Sequence, residues 1–332
     1  MPGRTLPPPF RPGRVMPTSG VGLIFPGQGT QFVGMGADLH RRYPEARDVF
    51  AEADEALGYS LSTLCFDGPD EELQQGKHTQ PAIVAVSTAI WRVLAARLDV
   101  SPIAAAGHSL GEYSALVAAE ALSLADALPL VAARARCMEA AAGEAAGMLA
   151  LLGLDRDAAD ALCREAATAT GGYAAIANHN CPGQLVVAGH ARALDRVQEL
   201  ARDRGARRAV RLVVTVASHT PLLQPACDAF APRVAAVPIS NPRFPVIGNA
   251  RIRPLVTAAD VRAELPAQLV QPVDWPATVS ALAESGAARL WELGPKSVLA
   301  GLNKRIDGAP PVVALTTAKE VDVLLSQVEV RA

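Results

Sequence analysis

The chain has 332 residues, a formal net charge of −2 and a composition that is 50% hydrophobic but only 4% aromatic. This length exceeds what one small core needs and indicates a large domain with a smaller one inserted in it. A core of Ala, Leu and Val suits an α/β protein with closely packed helices. The near-zero net charge gives no whole-protein attraction to nucleic acid or to an anionic membrane.

The N-terminal residues and the cysteines indicate which compartment the protein occupies. Residues 1–20 are rich in Pro, Arg and Gly and lack the apolar centre of a secretory signal, so they predict a disordered tail, and the natural start stays open between Met1 and Met16. The five cysteines form no CxxC pair and no metal-ligand spacing, which indicates free thiols in a reducing compartment. No apolar run reaches the ~20 residues of a membrane span. We therefore expect a cytoplasmic protein without a metal site.

The first part of the chain alternates strands and helices. Residues 21–25 (VGLIF) predict a buried strand that runs into the glycine-rich loop 26–31. The later elements predicted here are helices around 44–57, 70–75 and 80–98, a strand at 103–106, a helix from Leu110 and a helix at 124–141. Ser123 and Asp126 predict a capping box at the start of the last of these helices.

After residue 143 the pattern changes to that of a small α+β unit. It predicts strands at 147–153, 173–178, 184–188 and 207–214 and helices at 155–168 and 190–204, the order of a ferredoxin-like domain. The expected fold class is therefore α/β, with a large α/β-hydrolase-like domain that has a short parallel sheet and an inserted ferredoxin-like domain. The expected boundaries are 21–144 and 212–310 for the large domain, 145–211 for the small domain and 311–332 for a C-terminal segment.

Ser109 lies in a Gly-x-Ser-x-Gly pattern, between Gly107 and Gly111. This pattern is typical of a nucleophile elbow, a sharp turn between a strand and a helix that exposes the serine hydroxyl. The context fits, because small apolar residues precede it and a helical pattern with Glu112 in its first turn follows, where the helix dipole favours negative charge. A serine hydroxyl also needs a base to take its proton. Among the six histidines, His219 is the best candidate, because it follows an apolar strand at the start of a loop.

Seven segments in a fixed order carry a resemblance to a known family. They are FPGQGTQ at 25–31, GHSLGEYSA at 107–115, LVAARARCM at 130–138, NHNCPGQLVVAG at 178–189, VASH at 216–219, QLVQPVDW at 268–275 and ELGPKSVLAGL at 292–302. Together they resemble the malonyl-CoA:acyl carrier protein transacylases and the related acyltransferases of polyketide synthases. The likeness spans roughly residues 21–306, most of the chain.

The resemblance implies roles for the residues that match the catalytic motifs. Ser109 would carry the acyl group as an ester, and His219 would act first as general base and then as acid. The backbone carbonyl near Gln268, rather than a carboxylate, would orient the histidine. The backbone N–H groups of Gln28 and Leu110 would form the oxyanion hole.

The resemblance also implies which residues contact the acyl group. Arg134 would pair with a carboxylate at the far end of that group through parallel hydrogen bonds. Further expected pocket residues are His108, Asn180, Ser218 and Asn249. Malonyl is the expected substrate, but the small Ser218 would leave space for a branched acyl group, so α-substituted malonyl units stay open.

The implied activity is transfer of a malonyl group from CoA to the phosphopantetheine thiol of an acidic acyl carrier protein. We expect a stand-alone, trans-acting monomer with acyl-CoA as donor, no bound cofactor, and neither nucleic acid nor membrane as partner. Three alternatives stay open. The chain could be a serine esterase or thioesterase of the α/β-hydrolase type, a non-catalytic binder of carrier protein, or an acyltransferase for an unusual unit in a polyketide pathway.

Overall fold

The computed structural model describes residues 19–142, 146–214 and 216–328. Most of the predicted tail, including Met16, and the predicted domain boundary at 144–145 lie outside the described residues. The strands are β1 (Val21–Phe25), β2 (Ala104–Gly107), β3 (Ala146–Leu152), β4 (Ala174–Cys181), β5 (Gln184–His190), β6 (Arg208–Arg211), β7 (Val246–Ile247), β8 (Pro254–Leu255), β9 (Val273–Asp274), β10 (Arg289–Leu293) and β11 (Val312–Leu315).

The helices account for much of the rest of the described chain. They are α1 (Ala37–Arg42), α2 (Pro44–Leu57), α3 (Leu61–Asp67), α4 (Asp70–Leu73), α5 (Gly76–Arg97), α6 (Gly111–Ala118), α7 (Leu124–Ala140), α8 (Arg156–Thr170), α9 (Ala191–Asp203), α10 (Gln224–Ala236), α11 (Ala258–Ala267), α12 (Trp275–Glu284), α13 (Leu299–Asn303) and α14 (Ala318–Gln327). A 3-10 turn, Pro221–Leu223, precedes α10. The α/β class predicted from the sequence is confirmed, with two sheets.

The larger sheet has six strands in the order β11-β10-β1-β2-β7-β8. Its neighbours pair in parallel, except for the antiparallel pair β7–β8. β1 is buried along its whole length, with Leu23 and Phe25 in one hydrophobic cluster and Ile24 in another. A parallel strand buried on both faces must be apolar throughout, which explains why VGLIF shows no alternation.

Helix α5 is the central helix of the larger hydrophobic cluster and packs against α2 and α7. It begins at Gly76, before the predicted start at 80, because the polar residues His78 to Gln80 are also helical and buried. In the described part of the chain it alone has the length and hydropathy of a membrane span, which the sequence pattern had not predicted. However, 83% of its apolar window is buried inside the protein, as in a core helix.

The smaller sheet has five strands in the order β6-β3-β5-β4-β9. The pairs among β3, β4, β5 and β6 are antiparallel, and β9 adds to β4 in parallel. Leu149 and Val187 on this sheet share a hydrophobic cluster with Leu162 of α8 and Leu194 of α9. The unit is therefore a sheet with two helices packed against it.

Two predicted boundaries need correction. Residues 311–332 were expected to lie outside the large domain, but β11 extends the larger sheet beside β10, and Val321 and Leu324 of α14 are buried in its core. β9 belongs to the segment 212–310 and yet joins the smaller sheet. Each of these strands is the outermost strand of its sheet and pairs with the backbone of its inner neighbour.

The turn between β2 and α6 depends on two glycines. A Cβ atom on Gly107 would lie 1.8 Å from the carbonyl carbon of Gly111, and one on Gly111 would lie 2.0 Å from the backbone oxygen of Phe25. These contacts involve backbone, so no side-chain movement can relieve them. Ser109 lies between them with a φ of 51°, a left-handed conformation that non-glycine residues rarely adopt.

We predict that Gly111→Ala destabilises the fold by about 3 kcal/mol or more, because the added methyl group overlaps the β1 backbone. Gly301→Ala is the control, because Gly301 is also helical but a Cβ atom there would meet no atom of another segment within 4 Å. That change should alter the free energy of unfolding by no more than about 1 kcal/mol. Denaturant unfolding of both variants measures the difference, and equal stabilities would contradict the close-packed elbow.

Candidate active site

Three neighbouring parallel strands bring polar groups to one edge of the larger sheet. Gln28 follows β1, Ser109 follows β2 and Asn249 follows β7. Sites in open α/β sheets form at the carboxyl ends of the strands, where successive loops meet. The Asn249 side chain ties two of these segments together, because its Oδ1 accepts from the Ser109 N–H at 2.8 Å and its Nδ2 donates to the Gly107 carbonyl at 2.8 Å.

Ser109 and His219 lie within hydrogen-bond distance, although they are far apart in the sequence. Ser109 Oγ is 2.8 Å from His219 Nε2. On the other side of the ring, Nδ1 is 2.9 Å from the backbone oxygen of Gln268 and 3.2 Å from that of Gln271. A carbonyl oxygen only accepts, so Nδ1 carries the proton. Nε2 is then the basic nitrogen that faces the serine hydroxyl.

The environment of His219 keeps the imidazole neutral. The side chain is buried, and burial together with the positive charge of Arg134 lowers the pKa of His219 to about 3. Hydrogen bonds to the carbonyls of Gln268 and Gln271 act in the opposite direction but do not offset that burial. A neutral imidazole at physiological pH can accept a proton from Ser109.

Arg134 of α7 is buried beside the serine and is 1% exposed. It donates to the side-chain oxygens of Gln80 at 3.1 Å and Gln268 at 3.0 Å, and to Ser109 Oγ at 3.2 Å. Within the described ranges it makes no ion pair with a carboxylate, and burial lowers its pKa. A buried cation without an anionic partner is costly, so this position favours a ligand that brings a carboxylate.

The backbone N–H groups expected to bind an oxyanion have no acceptor within the described part of the chain. Neither Gln28 nor Leu110 donates its N–H to another described residue, whereas the Ser109 N–H is taken by Asn249. Leu110 lies at the N-terminus of α6, where the helix dipole also favours negative charge. The Gln28 side chain accepts from Gln80 Nε2 at 3.4 Å.

The other expected pocket residues have different surroundings. His108 Nε2 is 2.9 Å from Asn180 Oδ1, and its ring lies 5.8 Å from that of Trp275. Burial lowers the pKa of His108. Ser218 is half-buried next to His219, and its hydroxyl has no partner in the parts of the chain described. The side-chain amide of Asn249 is already hydrogen-bonded to the backbone of Gly107 and Ser109.

Two buried polar residues of the site were not identified from the sequence. Gln80 lies on α5 and accepts a hydrogen bond from Arg134. The sequence feature that could have indicated this residue is the run of polar residues His78 to Gln80 in an otherwise apolar helix. Glu112 was interpreted only as a residue favoured by the helix dipole. Its carboxyl group is instead fully buried, and burial, followed by repulsion from Glu264, raises its pKa well above the usual range.

The low pKa of His219 predicts how stability depends on pH. In the unfolded chain the imidazole takes up a proton near pH 6.5, whereas in the folded protein it resists protonation down to about 3. The contribution of the neutral imidazole to the free energy of unfolding is therefore present above pH 6.5. It is lost as the pH falls toward 3, with a slope of up to about 1.4 kcal/mol per pH unit. His219→Gln should flatten this part of the curve. Denaturant unfolding of both proteins from about pH 8 to about pH 5 measures the slopes, and identical slopes would contradict a neutral buried histidine.

Comparison with known proteins identifies the family. The acyl transferase domain model matches residues 23–312. The malonyl CoA-acyl carrier protein transacylase of Salmonella typhimurium is 42% identical over 92% of this chain and 98% of its own length, and that of Bacillus subtilis is 38% identical over 92% and 96%.

Solved structures agree with this assignment. An acyl carrier protein S-malonyltransferase from Vibrio cholerae has a TM-score of 0.88 and 40% identity, covering 92% of this chain and all of its own. A malonyl-transacylase in complex with a type II polyketide synthase acyl-carrier protein also has a TM-score of 0.88, with 39% identity over 92% of this chain and 99% of its own. The chain therefore belongs to the acyl transferase family and, within it, to the malonyl CoA-acyl carrier protein transacylases.

Proposed function

We propose that the chain transfers a malonyl group from malonyl-CoA to the phosphopantetheine thiol of an acyl carrier protein. The observation that carries this proposal is the guanidinium of Arg134, buried without an ion-pair partner among the described residues and 3.2 Å from Ser109 Oγ. An acyl group esterified to Ser109 would hold its distal end near this cation, and malonyl ends in a carboxylate. The names of the similar transacylases agree with this substrate.

The first half of the reaction forms the ester. Nε2 of His219 removes the proton from Ser109 Oγ, which attacks the thioester carbonyl carbon of malonyl-CoA. The negative oxygen of the tetrahedral intermediate accepts from the backbone N–H groups of Gln28 and Leu110, and each such donor contributes about 3–4 kcal/mol to the transition state. The intermediate then collapses, the carbon–sulfur bond breaks, and the leaving thiolate of CoA takes the proton from His219.

The second half reverses these steps with a different thiol. His219 takes the proton of the phosphopantetheine thiol, and the thiolate attacks the ester carbonyl of malonyl-Ser109. The same two N–H groups stabilise the second tetrahedral intermediate. When the ester bond breaks, Ser109 regains the proton from His219. The neutral carbonyls of Gln268 and Gln271 orient the imidazole throughout.

Finer assignments belong to the same proposal. The order of β3, β4, β5 and β6 and their two helices supports a ferredoxin-like small domain, and the parallel strands and elbow support an α/β-hydrolase-like large one. We propose a cytoplasmic monomer that uses acyl-CoA as donor and needs no bound cofactor. The half-buried Ser218 beside His219 leaves α-substituted malonyl units as a second class of substrate. The complex of a similar transacylase with a carrier protein supports the acceptor.

We predict that Ser109→Ala abolishes the covalent malonyl adduct, because no other hydroxyl of the described residues is bonded to His219 Nε2. Ser114→Ala is the control, since Ser114 lies in α6, the helix that follows Ser109, is buried and has a hydroxyl without a partner among the described residues. Intact-protein mass spectrometry after mixing with malonyl-CoA should show the adduct in the wild type and in Ser114→Ala only. An adduct that survives in Ser109→Ala would mean that the nucleophile is another residue.

We predict that Arg134→Ala lowers malonyl transfer by about 100-fold or more, because a buried charge pair with the substrate carboxylate is lost. Transfer of acetyl, which has no distal carboxylate, should fall much less. Arg136→Ala is the control, because Arg136 lies two residues further along α7 and is exposed. Initial rates with malonyl-CoA and acetyl-CoA, read out on intact carrier protein, measure both effects. Equal losses for the two substrates would contradict the ion-pair role.

A further inference from the structure

A buried carboxyl group lies directly behind the candidate active site. Glu112 is in the first turn of α6, and its side chain is inaccessible to solvent. One oxygen, Oε2, accepts two hydrogen bonds, from Gln268 Nε2 at 3.0 Å and from the Asn249 backbone N–H at 2.9 Å. The other oxygen has no partner within the described ranges. Glu112 therefore acts on the site through two neighbours.

Those two neighbours hold the backbone of Ser109 from both sides. Asn249 Oδ1 accepts from the Ser109 N–H at 2.8 Å, and Gln268 Nε2 donates to the Ser109 carbonyl at 3.0 Å. Ser109 has a φ of 51°, a strained conformation that persists only where its surroundings over-determine it. Both polar backbone groups of the strained serine are thus anchored to residues that converge on Glu112.

Glu112 also decides which way the Gln268 amide faces. With Nε2 directed at Glu112 and at the Ser109 carbonyl, the amide oxygen faces Arg134 Nη2 at 3.0 Å. The reversed amide would place its NH₂ group against the guanidinium, which only donates, and its oxygen against two acceptors. By accepting from Gln268 Nε2, Glu112 therefore keeps the Gln268 amide oxygen directed at Arg134.

We propose that Glu112 is a positioning residue for acyl transfer, which fixes the Ser109 backbone through Asn249 and Gln268 and the Arg134 guanidinium through Gln268. This inference rests on the proposed malonyl transfer. Glu112 touches neither the acyl group nor the reacting atoms, so it acts through the geometry of the groups that do. Displacing a reacting group by about 1 Å can lower a rate by about 100-fold.

The contribution of Glu112 is a hydrogen-bond acceptor rather than a negative charge. Burial raises the pKa of Glu112 well above the usual range. Repulsion from the carboxyl group of Glu264, which accepts from the N–H of Ala250 next to Asn249, raises this pKa further. A glutamine at 112 has nearly the same shape and one oxygen that can accept both hydrogen bonds. A leucine fills similar space but accepts none. The two substitutions therefore separate the acceptor from the packing.

The test compares Glu112→Gln, Glu112→Leu and the wild type in single-turnover acylation by malonyl-CoA and by acetyl-CoA. Glu112→Gln should acylate within about fivefold of the wild-type rate, since the hydrogen bonds are kept. Glu112→Leu should lose about 100-fold with malonyl-CoA. Its preference for malonyl over acetyl should also fall by about tenfold, because Arg134 loses its fixed acceptor. Global damage to the fold would lower both rates together and leave the preference unchanged.

Glu292→Gln is the matched control. Glu292 is equally buried, but its carboxyl group accepts from the backbone N–H groups of Val298, Leu299 and Ala300, away from Ser109. This variant should keep the wild-type preference for malonyl. A loss of preference here would show that removing any buried carboxylate has the same effect, which would overturn the assignment to Glu112.

The remaining outcomes are also decisive. A wild-type protein that forms no malonyl ester contradicts the proposed function itself. If the wild type is functional and both Glu112→Gln and Glu112→Leu keep its rate and preference, the positioning role alone is overturned. Equal losses in both variants would overturn the role of Glu112 as a hydrogen-bond acceptor. If Glu112→Leu does not fold, Glu112→Asp replaces it, because one methylene less withdraws the carboxyl group from Gln268 and Asn249. An aspartate variant with wild-type rate and preference would then contradict the proposal.

Discussion

The guanidinium of Arg134 is the constraint around which the rest of the site is arranged. It is buried, it has no carboxylate partner in the described part of the chain, and it is held by the neutral oxygens of Gln80, Gln268 and Ser109. An uncompensated buried cation attracts an anionic group, so the site is prepared for an acyl chain that ends in a carboxylate. Burial, together with the same charge, lowers the pKa of His219 and keeps the imidazole in its basic form. One residue thereby favours both the substrate and the protonation state of the base.

The scaffold explains how residues distant in sequence meet at this cation. β1, β2 and β7 are adjacent in the sheet, and the groups that follow them lie at the same edge. Helix α7 brings Arg134, and the segment after the smaller sheet brings His219, whose backbone N–H donates to Leu269 at 3.0 Å. Gly111 allows α6 to contact β1, so the Ser109 hydroxyl extends toward the imidazole rather than into the core. Close packing of the elbow and the chemistry of the site are thus two results of the same backbone arrangement.

Local patterns predicted the elements that carry the reacting groups. The Gly-x-Ser-x-Gly spacing located the turn at Ser109, and periodicity gave α2 and α7 close to their observed bounds. The family resemblance, rather than spacing, supplied the roles of Arg134 and Gln268. No local signal could have located β11 in the larger sheet or β9 in the smaller one, since both strands are short and pair with distant segments. The contact of Glu112 with Gln268 crosses 156 residues, so Glu112 could be identified only in the folded chain.

A crystal structure of the protein trapped after mixing with malonyl-CoA would show directly whether Arg134 binds the acyl carboxylate. We expect continuous electron density from Ser109 Oγ to a malonyl group whose free carboxylate lies ~2.7–2.9 Å from the Arg134 guanidinium nitrogens. We also expect the His219 ring to stay against the Gln268 carbonyl, as it does here at 2.9 Å. A malonyl group attached to another side chain would contradict the proposed mechanism. An ester on Ser109 whose carboxylate points to solvent, with Arg134 still bonded only to its glutamines and the serine, would contradict it equally.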